Sequence, residues 1–111
     1  MATEEKRRRL DALNIEVSRL SEQCNNQERK TESARSKVSE TARELARVKS
    51  TLTSCQNPRT RENIEREIGR LESRLSTHER HVGDHMSNYQ RIAQELSRKN
   101  DEYFSLRSSM S

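Results

Sequence analysis

Pro58 is the only proline in a chain of 111 residues. On both sides of it, apolar side chains recur at alternating three- and four-residue intervals without a slip. A repeat with that mean period draws one apolar seam along a helix and asks for a second helix to cover it. Proline inside a helix removes a backbone hydrogen bond and clashes with the preceding turn, at a cost of about 3 kcal/mol or more. The chain therefore reads as two helices of similar length joined by a bend, not as one long helix.

With Leu10 as position a, the first arm carries Leu10, Val17, Cys24, Thr31, Val38, Leu45 and Leu52 at a. Its d positions are Leu13, Leu20, Gln27, Ala34, Thr41, Val48 and Cys55. In the second arm the a positions are Arg61, Ile68, Leu75, Val82, Tyr89, Leu96, Tyr103 and Met110. The d positions there are Ile64, Leu71, His78, His85, Ile92, Lys99 and Leu106. The boundaries expected from these patterns are a first helix over about 4–55, a bend at Gln56–Thr60, and a second helix over about 58–107. Met1–Glu5 reads as a frayed end with Thr3 as a candidate cap, and 108–111 as a frayed tail. At the bend, Asn57 suits an N-cap, and Pro58 suits the first helical position, where its fixed φ and missing N–H cost nothing. The proline also pushes Asn57 out of the helical region and so ends the first arm.

Folding one arm onto the other in antiparallel fashion sets a against d. Placing Leu52 against Ile64 makes facing residues equidistant from Pro58 in number. Layers near the bend are then Val48/Ile68 and Leu45/Leu71; those near the open end are Leu20/Leu96, Leu13/Tyr103 and Leu10/Leu106. The middle is poorer: Val38/His78, Ala34/Val82, Thr31/His85 and Gln27/Tyr89. Flanking charges agree near the bend, where Lys49 faces Glu65 and Glu44 faces Arg74. At the open end Glu16 faces Glu102 and Arg7 faces Arg107, so like charges meet there.

Composition bears on what this seam can hold. Charged residues make up 36% and hydrophobic ones 28%, with no tryptophan and two glycines. That is too little apolar surface for a thick globular core, and leaves disorder or thinly seamed helices; the unbroken period selects the helices. The whole pattern is similar to small coiled-coil hairpins in general. It lacks the Trp-x-Gly turn of small type VII secretion substrates, and no residue singles out one family.

The chemistry-bearing residues are few. His78, His81 and His85 share one face of the second helix, which makes them candidate metal ligands. Two of them are simply d residues, and their facing positions, Val38 and Thr31, offer no ligand. Polar seam layers that weaken as histidine takes up protons are the plainer reading. Lys6–Arg9 is a short basic cluster preceded by Glu4 and Glu5, which fits a solvated helix start. Asp101–Leu106 has the outline of an acidic-aromatic peptide motif, but Tyr103 and Leu106 are seam residues, so a packed face is expected. Cys24 and Cys55 are both on the seam, roughly 46 Å apart along one helix, which excludes a bridge between them within the chain. Reduced, buried thiols are expected, with an interchain bridge the alternative.

No Gly-rich phosphate loop, nucleophile elbow or Cys–His arrangement is present, so no catalytic or cofactor-binding residue is assigned. Bases and acids are interleaved rather than sorted to one face, which argues against nucleic acid. No apolar run reaches the roughly 18 residues of a membrane span, and no signal-peptide core follows the start, so an intracellular, cytoplasmic location is expected. The reading is an all-α, antiparallel coiled-coil hairpin that associates into a helical bundle. The function expected is a non-enzymatic scaffold or adaptor, with itself or a helical protein as partner. The alternative is a small secretion or assembly partner that holds a helical segment of a larger protein.

Overall fold

The computed structural model describes residues 2–110, and their side chains from Thr3 onward. It is a helical hairpin. α1 spans Ala2–Ser54 and α2 spans Pro58–Ser109. Only Cys55–Asn57 separate them, so Arg59 and Thr60, where the expected bend and the expected second helix overlap, belong to the first turn of α2. The helix also runs further than expected at its far end: Ser108 and Ser109 are helical, with Met110 N–H donating to the Arg107 carbonyl at 3.2 Å. Thr3 lies inside α1 and is not its cap. The outermost ends of the expected frayed segments, Met1 and Ser111, lie outside the described residues.

Contacts along the hairpin cluster into two compact units. One comprises the chain up to Arg29 and from His85 on; the other is Lys30–Asp84 and includes the bend. Each is a pair of helix segments, one from each arm.

The seam follows the period. Every a and d position is buried or half-buried, whereas most other positions are exposed. The fully covered large side chains are Leu13 and Leu71, both at d. The other buried residues, Cys24, Thr31, Ala34, Thr41 and Leu45, are all seam residues of α1. The small α1 seam side chains are buried, while the larger seam residues of α2 other than Leu71 keep an edge in water. Burying a Leu-sized side chain contributes about 1.5–3 kcal/mol, so a seam of half-covered residues gains only part of that per layer. Local pairs add a little. Glu4–Arg8 and Glu62–Arg66 sit one turn apart on exposed faces, where such pairs contribute about 0.2–0.5 kcal/mol each.

Candidate interaction surface

The bend is where the sequence fixes the geometry most tightly. Asn57 Oδ1 accepts hydrogen bonds from the Arg59 and Thr60 backbone N–H groups at 3.0 and 3.3 Å. Its carbonyl accepts from Arg61 N–H at 2.9 Å. Pro58 has no N–H, so the first-turn donors of α2 are all accounted for. The end of α1 is satisfied differently. It has no basic residue in its last turn and no glycine to adopt a left-handed cap. The Arg61 guanidinium supplies both functions from the other helix. Its Nη1 donates to the Leu52 carbonyl at 3.1 Å and to the Cys55 carbonyl at 2.9 Å. Ser54 Oγ donates to the Thr51 carbonyl, and Cys55 N–H also reaches Leu52 O. A positive charge on the carbonyl end of a helix is favourable for the macrodipole as well.

The unit at the open end carries an ion-pair network. Arg9 Nη2 lies 2.8 Å from Glu102 Oε1 and Arg9 Nη1 3.9 Å from Glu16 Oε1. Lys99 Nζ reaches Glu16 Oε2 at 3.1 Å, in ion-pair rather than hydrogen-bond geometry. The like-charge meeting expected between Glu16 and Glu102 is thus interrupted by two cations. The hydrogen bond from Arg9 holds the Glu102 carboxyl below the usual carboxylate range, against a smaller opposing effect of desolvation. The same bond raises the Arg9 guanidinium. Of the basic cluster, Arg8 pairs with Glu4 and Arg9 with the two glutamates, which leaves less free positive charge than the sequence shows.

The seam residues proposed for interaction occupy definite levels of cover. Leu13, Leu45 and Leu71 are buried. Leu10, Val17, Leu20, Val38, Val48 and Leu52 on α1 are half-buried. So are Ile64, Ile68, Leu75, Val82, Tyr89, Ile92, Leu96, Tyr103 and Leu106 on α2. Outside the seam, Ile15 is 62% exposed, Phe104 59% and Met86 41%. Phe104 meets Tyr103 edge to face with ring centroids 5.4 Å apart. Ala42 and Ala46 are exposed on α1 in the bend unit.

His78 is half-buried and His81 exposed, their rings edge to face at 6.4 Å. His85 is half-buried, and its buried Nδ1 makes no hydrogen bond to a described residue. Among the described residues no group of three or more His, Cys, Asp or Glu could hold a metal ion. Cys24 is a buried free thiol whose titration is pushed up by burial and then by the nearby Glu28 charge; Cys55 is free and half-buried. No helix among the described residues is long and apolar enough to cross a membrane.

No family model, curated protein or solved structure matches the chain.

Proposed function

We propose that the chain is a non-enzymatic scaffold or adaptor that works by helix packing, with a second copy of the same hairpin as its first partner. The observation that carries this reading is the unfinished cover of the seam. Most large apolar residues on α2, among them Ile68, Leu75, Ile92 and Leu96, keep an exposed edge. A second pair of helices laid along those edges completes the burial, as in a four-helix bundle. Exposed Ile15, Met86 and Phe104 add apolar surface beside the seam, and exposed Ala42 and Ala46 let another helix approach closely. The interleaved charges on the outer faces keep such an assembly dispersed in water.

Sedimentation equilibrium of the wild-type protein at tens of micromolar tests this. A defined oligomer, with unfolding that depends on protein concentration, is expected. A stable, fully helical monomer over that range would remove the case for a second hairpin.

A further inference from the structure

The seams of the two arms are out of phase across the bend. The last a residue of α1 is Leu52 and the first of α2 is Arg61, both half-buried. An uninterrupted heptad repeat would put that position at Arg59, which is exposed. The nine-residue step from Leu52 to Arg61 is about two and a half helical turns. If the bend straightened into continuous helix, the seam of α1 would emerge on the face opposite that of α2.

This decides how straightened copies could pair. A closed, swapped dimer needs both seams of one chain to face the same neighbour. Seams half a turn apart face two neighbours, so α1 would pair with α2 of a second copy while α2 paired with α1 of a third. Such a head-to-tail contact does not close on itself and grows into an open chain. The seams also differ in size: α1 presents the small residues Cys24, Thr31, Ala34 and Thr41, and α2 the larger Leu75, Tyr89, Ile92 and Leu96. Each arm therefore fits the opposite arm better than it fits its own kind, since voids and overfilling are both destabilising.

We propose that the bend holds shut a latent head-to-tail assembly surface, in which the seam of each arm is complementary to the opposite arm of another copy of this chain. The closure is local. Residues 55–57 contain no glycine, and no described residue has a positive φ, so the turn rests on no left-handed backbone. Two features hold it: Pro58, which breaks the helical hydrogen-bond ladder, and the Arg61 guanidinium on the Leu52 and Cys55 carbonyls. In the closed state each seam is turned toward the other arm of its own chain, and only the half-covered edges remain for a neighbour.

Two variants test the phase argument. In P58A/R61A both features are removed and a continuous helix is allowed. In the second variant, the same two changes are combined with deletion of Arg59 and Thr60, which restores the seven-residue phase. With helicity followed by circular dichroism, sedimentation velocity should show P58A/R61A growing with concentration without a plateau. The deletion variant should stop at a discrete dimer. A P58A/R61A protein that matches wild type, or that forms a discrete dimer, would overturn the proposal. So would open-ended growth or a closed hairpin in the deletion variant. If P58A/R61A loses its helix, the deletion variant carries the test alone, and loss of helix in both counts against the proposal because both retain the seam. Wild-type association is a separate measurement, so either result can fail without the other.

Discussion

Arg61 shows what a single side chain contributes to this hairpin. By its place in the repeat it is a charged residue at an a position, which ordinarily weakens a seam. Its guanidinium instead satisfies two carbonyls at the end of α1, which has no basic residue of its own there. The sequence carried the signal, a cation on the seam within three residues of the proline, but heptad labels give a residue a side and not a reach. The same limit hid the open-end network. Facing positions set Glu16 against Glu102, whereas the long side chains of Arg9 and Lys99 choose partners beyond the facing residue. Hydrogen bonds from a charged group contribute about 1.5–3 kcal/mol, and the partly exposed site at Arg61 belongs at the lower end. Arg61→Ala should therefore lower unfolding free energy by about 1–2 kcal/mol in urea titrations. Both bonds come from Nη1 alone, so Arg61→Lys should recover only part, because the shorter lysine must desolvate a compact, strongly hydrated ammonium to reach the same carbonyls. An alanine variant as stable as wild type would mean that solvent caps α1 equally well.

At the scale of the helices, the seam was legible and the ends were less so. The period alone placed every buried residue, because a two-helix structure has one apolar stripe per helix and little else to decide. The termini depend on a few hydrogen bonds that composition does not show. The start of α2 is the exception, because Asn57 reads as an N-cap in the sequence and does accept from the Arg59 and Thr60 N–H groups. Ser109 stays helical with its hydroxyl on the Leu106 carbonyl at 2.7 Å, where the serine run suggested a tail. Gly69 and Gly83 are the weak points in α2. Both are exposed, and a Cβ built at either meets nothing within 4 Å. Glycine in a helix interior costs about 1 kcal/mol relative to alanine. Gly69→Ala and Gly83→Ala should each raise stability by about that much, read as a higher urea midpoint at unchanged slope. A fall in either midpoint would mean that the position serves a contact made by a partner helix.

For the whole molecule, the pattern around Pro58 gives the architecture, and the half-covered seam gives the reason to expect association. What the sequence left open is physical. Two-helix seams are generic, so the same period serves many partners, and among the described residues no group of three or more His, Cys, Asp or Glu that could hold a metal ion narrows the choice. The claim on which the rest depends is that the arms of one chain pair with each other, with Leu45 and Leu71 sharing a layer; both are buried. Oxidative crosslinking of Leu45→Cys/Leu71→Cys, in a background lacking Cys24 and Cys55, tests it directly. The bond should form within single chains at high dilution and still within single chains at the higher concentrations used to test for association. Products that are covalent dimers at both concentrations, with no intrachain species, would contradict it.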